Sequence, residues 1–219
     1  MRKNSFLQSA WETLKADVQA IPQNDPAFKG GVGGWMEVFL CYPGLHAIIA
    51  HRLIHFLHAQ LHIPLLPRLL SQIMRWLTGI EIHPGAIIGK GFFIDHGMGI
   101  VIGETAVIGN NVTLYHSVTL GGTGKERGKR HPTVCDNVMI GAGACLLGNI
   151  TVGEGAKIGA GSVVVTDVPP GTTIVGIPGM ALQYHRKIRH TMVQEDLLKR
   201  IEILEKELAI LKNNTKEAA

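Results

Sequence analysis

Aliphatic residues recur at every sixth position through the middle of the chain, and this period restricts the fold more than any other feature. The series has two interruptions and thirteen members: Ile82, Ile88, Ile94, Ile102, Ile108, Leu114, Leu120, Val134, Ile140, Leu146, Val152, Ile158 and Val164. A period of six fits neither an α-helix nor a hairpin, but it is typical of a parallel β-helix with three short strands to each coil. The sequence therefore predicts a mainly β fold over residues 80–178, a three-sided prism with the aliphatic side chains stacked inside.

The segments on either side of the repeat are predicted to be helical. Residues 1–79 place apolar residues at helical spacing, with a loop over the glycine-rich stretch "NDPAFKGGVGG", and would cover one end of the prism as a solenoid requires. Residues 185–213 carry a heptad seam formed by Leu197, Ile201, Leu204, Leu208 and Leu211. We expect this C-terminal helix to associate with other copies of the chain; packing on its own prism is the alternative.

Composition narrows the class of protein. Of the 219 residues 46% are hydrophobic and 17% charged, which is typical of a globular chain. Three cysteines without a CxxC pair fit a reducing cytoplasm better than a disulfide framework. The longest apolar run is too short to span a membrane, no signal-peptide core is present, and the formal net charge of +4 is ordinary for a protein surface. We expect a cytoplasmic protein with no membrane or nucleic-acid partner.

The two interruptions of the repeat are the candidate functional segments, because irregular insertions in a regular solenoid are where a site can be built. Two extra residues enter between Ile94 and Ile102, beside the pair Asp95-His96. Eight extra residues enter the polar loop "GGTGKERGKRHPT", which carries four lysines or arginines before His131. His96 and His131 are therefore expected to contact a substrate.

A histidine oriented by a carboxylate is the usual form of a general base, since the acid fixes the tautomer and stabilises the imidazolium. Asp95 is adjacent to His96, but neighbours along a strand point to opposite faces. Glu81, one coil below, is the better candidate to orient His96.

Four histidines lie on one face of a predicted helix, at positions 51, 55, 58 and 62. A metal-binding stripe is one interpretation, but the glutamate of an HExxH site is missing. A polar or subunit-facing stripe is the interpretation we favour.

Two segments resemble a known family. "GIEIHPGAIIGKGFFIDHGMGIVIGETAVIG", from Gly79, and "SVTLGGTGKERGKRHPTV", from Ser117, are similar to the motifs of serine O-acetyltransferases, in the hexapeptide-repeat acyltransferase superfamily. The likeness extends over residues 17–178. The hexads alone are shared by many acyltransferases, whereas this pair of motifs is specific.

The resemblance implies a left-handed β-helix, which is an exception to the usual right-handed crossover, assembled as homotrimers or as a dimer of trimers. L-Serine and acetyl-CoA would be the substrates, with no metal, and the sites would lie between neighbouring prisms. His96 would be the base, with Glu81 in place of the family's usual aspartate. The amino and carboxylate groups of serine would be held by Asp25, Asp95, Arg130 and His131. Backbone groups for acetyl-CoA would come from Gly122, Ala142 and Ala160.

Other functions stay open from the residues alone. The same fold could acetylate another acceptor, such as homoserine, a sugar or an antibiotic. A zinc enzyme of the γ-carbonic anhydrase type would need three histidines at a subunit boundary, for which His96, His116 and His131 are the candidates. A non-catalytic β-helix subunit assembled through the C-terminal helix is the remaining alternative.

The last residues of the sequence bear on one interaction of the resembled family. Members of the resembled family insert a terminal isoleucine into the active site of the sulfhydrylase that makes cysteine, whereas this sequence ends in "KNNTKEAA". Ala219 would fill little of an apolar pocket. A complex with that sulfhydrylase through the tail is therefore not expected.

Overall fold

The computed structural model describes residues 2–124, 127–182, 200, 201 and 204, with side chains from residue 8 onward. The chain divides into two units, Met1–Met180 and Ala181–Ala219. Within the second unit residues 200, 201 and 204 are helical. Most of the predicted helix over 185–213, and the tail considered for a sulfhydrylase complex, lie outside the described residues, so both expectations stay predictions.

Four helices precede the repeat: α1 (Arg2–Asn24), α2 (Gly31–Cys41), α3 (Pro43–Ala59) and α4 (Leu66–Thr78). The sequence did not predict α2, because its first turn, Gly-Val-Gly-Gly, has a low helix propensity. Tertiary packing overrides that propensity, since Val38 is fully buried in a cluster with Ala20, Ile21 and Leu45. Among the described residues no single helix is long and apolar enough to cross a membrane; α2 and α3, bent by 63°, meet the length and composition test only as a pair.

Fifteen short strands follow in the described part of the chain: β1 (Glu81–Ile82), β2 (Ile87–Ile88), β3 (Phe93–Ile94), β4 (Val101–Ile102), β5 (Val107–Ile108), β6 (Thr113–Leu114), β7 (Thr119–Gly121), β8 (Thr133–Val134), β9 (Met139–Ile140), β10 (Cys145–Leu147), β11 (Thr151–Val152), β12 (Lys157–Ile158), β13 (Val163–Val164), β14 (Thr173–Val175) and β15 (Met180–Ala181).

The strands form three sheets, one on each side of a prism, and β1 to β14 pair in parallel within them. Sheet A contains β1, β4, β7, β10 and β13; sheet B contains β2, β5, β8 and β11; sheet C contains β3, β6, β9, β12, β14 and β15. Each coil of chain supplies one strand to each sheet in turn. The predicted parallel β-helix is confirmed. We call the edge where sheets A and B meet the A–B edge, and the edge where sheets A and C meet the A–C edge.

The register of the paired strands shows the length and the position of the two interruptions. In sheet A, Val101 pairs with Thr119, eighteen residues on, which is the regular coil of three hexads. Glu81 pairs with Val101, twenty residues on, and Val107 in sheet B pairs with Thr133, twenty-six residues on. The two extra residues therefore sit at the A–C edge between β3 and β4, and the eight extra residues at the A–B edge between β7 and β8.

All thirteen aliphatic residues of the repeat are buried. Each side chain lies on its equivalents in the coils above and below, and burial of one such side chain contributes about 1.5–3 kcal/mol. This column makes the prism rigid, so that groups at its edges are held in fixed positions from coil to coil.

The helices dock on the first coil through buried polar contacts. Asp17 is 1% exposed and accepts hydrogen bonds from Arg52 and from the Phe92 N–H at 3.1 Å. His51 and His55 donate to the Ala86 and Pro84 carbonyls at 3.2 and 2.8 Å. The histidine face of α3 therefore packs on the prism, a contact that its sequence pattern does not predict.

Candidate active site

The register slip pushes His96 out of the prism at the A–C edge. His96, Gly97 and Gly99 have φ values of 59°, 83° and 79°, in the left-handed region that glycine tolerates best. His96 adopts this left-handed conformation although it is not a glycine, and its side chain is 77% exposed. Met98, in the same turn, covers Gly79, where any Cβ would lie 2.3 Å from the methionine sulfur. The two added residues thus form a projecting corner that carries an accessible imidazole.

One carboxylate and one further imidazole lie next to the His96 ring. An Asp95 carboxylate oxygen lies 3.8 Å from His96 Nε2, and the ring of His116 is 6.0 Å away, centroid to centroid. Asp25 follows α1 and accepts a 2.5 Å hydrogen bond from the Tyr42 hydroxyl. This bond to the Asp25 carboxylate raises the pKa of Tyr42 to about 12, and the nearby Asp95 charge acts in the same direction. Asp95 thus lies beside His96, and the charges of Asp95 and Asp25 both act on Tyr42; two carboxylates in one neighbourhood suit an ammonium group.

Free amides follow along the same edge on the next coils. His116, Ala142 and Ala160 occupy equivalent positions, because the N–H after Ala142 bonds to the His116 carbonyl and the N–H after Ala160 bonds to the Ala142 carbonyl. Successive coils rise by about 4.8 Å. Among the described residues the N–H groups of Ala142 and Ala160 make no hydrogen bond. An elongated ligand lying along the A–C edge would meet these donors at regular intervals.

The second polar cluster stands at the A–B edge. His131 is 8% exposed, and its ring lies over Gly103, where a Cβ would come within 2.1 Å of Nε2. Arg130 binds Glu104 at 2.5 Å, and this hydrogen bond lowers the pKa of the Glu104 carboxyl. The Gly122 N–H makes no hydrogen bond among the described residues. A guanidinium, an imidazole and a free amide therefore converge here.

Burial lowers the pKa of His131, and the neighbouring cations Arg130 and Lys129 lower it further, whereas Glu104 opposes them. Burial likewise lowers the pKa of the Lys129 ammonium. At neutral pH His131 is therefore held in its uncharged form.

The structure does not bring Glu81 to His96 within the chain. Its carboxylate pairs instead with Arg68 and Arg75, each at 3.1 Å. The reason is local: α4 runs through Gly79 directly into β1, so the arginines of that helix face the first residue of the strand. The carboxylate in contact with His96 is Asp95, which sequence reasoning had ranked second.

The predicted site residues fall into two groups. Asp25, Asp95, His96, Ala142 and Ala160 lie at or beside the A–C edge, and Gly122, Arg130 and His131 lie at the A–B edge. One side of the prism, six residues or about 20 Å, separates the two edges. A single chain therefore presents two half-sites.

Three contributors were missed from the sequence. Tyr42 reaches Asp25 from the bend between α2 and α3, and Thr105 and Glu104 hold the segment at 129–131. The contacting residues are 17 and 24 to 26 positions apart in the chain, so no local motif predicts these contacts. The only nearby sequence signal is "GET", which contains Glu104 and Thr105 and follows the first interruption. Only the register of adjacent coils places them.

Within the described residues no group of three or more His, Cys, Asp or Glu side chains is arranged to hold a metal ion. For the zinc alternative, His96 and His116 lie at the A–C edge and His131 at the A–B edge. The three histidines of that hypothesis do not meet in one chain.

A prism of stacked hexads with polar edges defines the hexapeptide-repeat transferases, and the family described as bacterial transferase hexapeptide (six repeats) matches residues 131–166. Among curated relatives, the serine acetyltransferase of Synechococcus elongatus is 51% identical over 210 residues, covering 90% of this chain and 84% of the relative. That of Bacillus subtilis is 55% identical over 185 residues, covering 84% and 83%. The chain belongs to the serine acetyltransferase family.

Solved structures of serine acetyltransferases support the same family membership. Serine acetyltransferase of Neisseria gonorrhoeae superposes with a TM-score of 0.75 at 47% identity, over 80% of this chain and 65% of that one, so the match spans just under two thirds of its length. Soybean serine acetyltransferase complexed with serine gives a TM-score of 0.75 at 49% identity, over 82% and 72%. The prism described above is the left-handed β-helix of these proteins.

Proposed function

We propose that this chain is a serine O-acetyltransferase, which moves the acetyl group of acetyl-CoA to the hydroxyl of L-serine and yields O-acetylserine for cysteine synthesis. The observation that carries the proposal is the exposed His96 beside the carboxylate of Asp95, whose charge acts together with that of Asp25 on Tyr42. A base next to an ammonium-binding pair is what a small amino alcohol requires. Relatives of about 50% identity are named serine acetyltransferases, and two solved structures of that family are complexes with serine.

In the proposed reaction His96 takes the proton of the serine hydroxyl as the oxygen attacks the thioester carbonyl. The oxygen–carbon bond forms, the carbon–sulfur bond breaks, and the imidazolium returns its proton to the departing thiolate of CoA. A positioned general base contributes roughly 10²–10⁴-fold to the rate. The free N–H of Gly122 is the candidate donor to the oxyanion, a role whose loss costs roughly 10²–10³-fold.

The substrates are assigned by charge and by free donors. Asp25 and Asp95 would hold the serine ammonium, and Arg130 with His131 would hold its carboxylate, because the guanidinium offers a planar fork to a carboxylate. The N–H groups of Ala142 and Ala160 would bind acetyl-CoA along the A–C edge.

This assignment requires more than one copy of the chain, since the two half-sites lie at different edges of the prism. We therefore place the A–C edge of one chain against the A–B edge of the next. Such a contact joins different surfaces of identical chains, and it closes into a ring. Three copies give the homotrimer, and a dimer of trimers is the next larger assembly.

The three cysteines, Cys41, Cys135 and Cys145, are free thiols in the described structure. Free thiols persist in a reducing compartment. A cytoplasmic location is proposed on this ground.

The proposal is tested by CoA release from acetyl-CoA with a panel of acceptors: L-serine, L-homoserine, an amino sugar and an aminoglycoside. Serine is expected to give the highest kcat/KM. A higher value for a sugar or an antibiotic would favour another acetyltransferase of this fold, and no release with any acceptor would contradict the enzyme assignment altogether.

Substitution of the base provides the matching prediction. His96→Ala should lower kcat by about 10²–10⁴-fold, because the serine hydroxyl then loses its proton acceptor. His116→Ala, which removes the neighbouring imidazole on the next coil, is the control and should retain far more activity. Near-normal turnover of folded His96→Ala would contradict the assignment.

A further inference from the structure

Thr105 holds the segment around His131 from the coil below. Its hydroxyl oxygen accepts the backbone N–H groups of Arg130 and His131 at 3.0 and 3.2 Å. Its carbonyl accepts a 2.7 Å hydrogen bond from the Lys129 ammonium. Three successive residues of the long loop are thus fixed by one residue.

Thr105 also contacts the His131 ring. Its backbone N–H lies 3.2 Å from Nδ1, and its hydroxyl oxygen lies 2.9 Å from the same atom. A backbone N–H can only donate, so Nδ1 must be the acceptor and carry no proton. The hydroxyl oxygen already receives two N–H groups, so its own proton points to Nδ1 as well. The neutral ring that satisfies these contacts has its proton on Nε2.

The other end of the ring is available to a ligand. Nε2 makes no hydrogen bond among the described residues and is not among their fully buried unpaired atoms. A Cβ on Gly122 would lie 3.5 Å from it, so the free amide of Gly122 and Nε2 share one space. The ring cannot swing away easily, since it lies against Gly103.

We infer that Thr105 is a positioning residue that fixes His131 in its neutral Nε2–H form, so that His131 donates a hydrogen bond to the negative group of the acceptor and takes no proton in the reaction. The identity of that group as the serine carboxylate rests on the proposed function. The two histidines of the interruptions then have different tasks: His96 is the proton acceptor, and His131 is a fixed donor.

The charges around His131 agree with this assignment. Arg130 and Lys129 face it from its own segment, Glu104 from the coil below, and His83 from one coil further down. An imidazolium would carry an Nδ1–H aimed at two other donors, with two cations alongside. Among these groups only the Glu104 carboxylate favours the protonated form of His131.

The first test is spectroscopic and independent of activity. The full chain labelled with ¹⁵N-histidine would be recorded by long-range ¹H–¹⁵N correlation, with the His131 signals identified by their loss in His131→Gln. Nδ1 should appear unprotonated and Nε2 protonated from about pH 7 to about pH 8. A protonated Nδ1, or an imidazolium within that range, would overturn the inference while leaving the proposed function intact.

The second test uses kinetics. Thr105→Val keeps the shape and removes the hydroxyl, and it should raise the KM for serine at least tenfold with little change in the KM for acetyl-CoA. Thr105→Ser restores the hydroxyl and should return the KM for serine to near its original value. Thr173→Val makes the same change on β14, where the side chain has no hydrogen bond among the described residues, and should leave both KM values unchanged. An unaltered KM for serine in Thr105→Val would refute the positioning role.

The third test separates donor from base. His131→Gln keeps an N–H donor at the ε position but offers no imidazole to accept a proton. A fixed donor predicts a kcat within about tenfold of the original, whereas loss of a general base costs roughly 10²–10⁴-fold. A loss of that size, with the fold intact, would show that His131 takes part in proton transfer. Absence of serine acetylation in the unmodified chain would contradict the proposed function and leave the ring assignment standing.

Discussion

Arg130 shows how one residue can depend on contacts from another coil. Its guanidinium is held by Glu104 at 2.5 Å and its backbone N–H by Thr105. The fork is therefore oriented before substrate arrives, which reduces the ordering cost of binding. Glu104 neutralises part of the charge, but a guanidinium offers five donors and one carboxylate does not occupy them all.

Arg130→Ala should raise the KM for serine by tenfold or more and change the KM for acetyl-CoA little. Arg130→Lys should recover only part of the loss, because a single ammonium cannot bind a carboxylate in a bidentate way. Steady-state kinetics with each substrate varied in turn distinguishes the two KM values. Equal increases in both would indicate that the basic loop contacts the CoA phosphates instead.

At the scale of elements, the corner between β3 and β4 differs from the next one along the A–C edge. The Ser117 N–H bonds to the Met98 carbonyl, so Met98 occupies the position equivalent to His116, and His96 precedes it. His116 precedes a regular corner, in which Ser117 has a φ of 59° and Val118 is buried. Deletion of Met98 and Gly99 would make the two corners equal in length, with Gly97 at the left-handed position and Ile100 at the buried one. The sequence of the shortened corner fits the regular hexad at every position.

The deletion variant is therefore expected to fold and to lose at least 10²-fold in kcat, since His96 would sit on a regular edge instead of a projecting corner. Circular dichroism and thermal unfolding check the fold, and CoA release checks the activity. Full activity in the shortened chain would show that the slip has no catalytic role. Met98→Ala keeps the length of the corner and the left-handed Gly99, and it serves as the control for composition.

Element α3 contains a buried histidine with a predictable effect on stability. Burial, together with the nearby His55 and Arg52, lowers the pKa of His51 to about 3, although its Nε2–H donates to the Ala86 carbonyl; His83 is a further charge that lowers it. Below about pH 6.5 the unfolded chain protonates this histidine and the folded chain does not. Stability is therefore lost as pH falls from about 6.5 towards 3, by about 2 kcal/mol at pH 5.

His51→Gln keeps an amide donor for Ala86 and removes the titration. Its free energy of unfolding should change less between pH 7 and pH 5 than that of the original chain, by about 2 kcal/mol. Urea unfolding at one protein concentration measures both. The same pH dependence in the two proteins would mean that His51 is not the group responsible.

The elements also show what sequence can predict. The prism followed from thirteen aliphatic positions because burial in a solenoid repeats with the coil, and both interruptions were located to the residue because they break that repeat. Helix α2 was missed because its stability comes from the burial of Val38 against distant residues. The partners of Glu81 were predicted wrongly for a similar reason: the arginines that bind it lie on α4, and only the path of the chain into β1 brings them there.

At the scale of the whole molecule, the division of the predicted residues between two edges supports the proposed assembly of several chains. His96 with Asp95 occupies the A–C edge, and Arg130 with His131 occupies the A–B edge. If the active site joins the two edges of neighbouring chains, one chain never contains a complete site. Two defective chains can then complement each other, which a site within a single chain would not allow.

His96→Ala and Arg130→Ala chains, each poorly active alone, should therefore regain activity when they are unfolded together and reassembled at equal amounts. An intact site needs the A–C edge of an Arg130→Ala chain beside the A–B edge of a His96→Ala chain, and random mixing gives this at about one site in four. At serine concentrations well below the raised KM of the Arg130→Ala chain, the mixture should show about a quarter of the original activity per chain, because the intact sites keep the original KM for serine. Mixing the folded assemblies without unfolding is the control and should give no gain if chains do not exchange. Activity that stays at the mean of the two variants after reassembly would place the whole site within one chain and remove the argument for a shared interface.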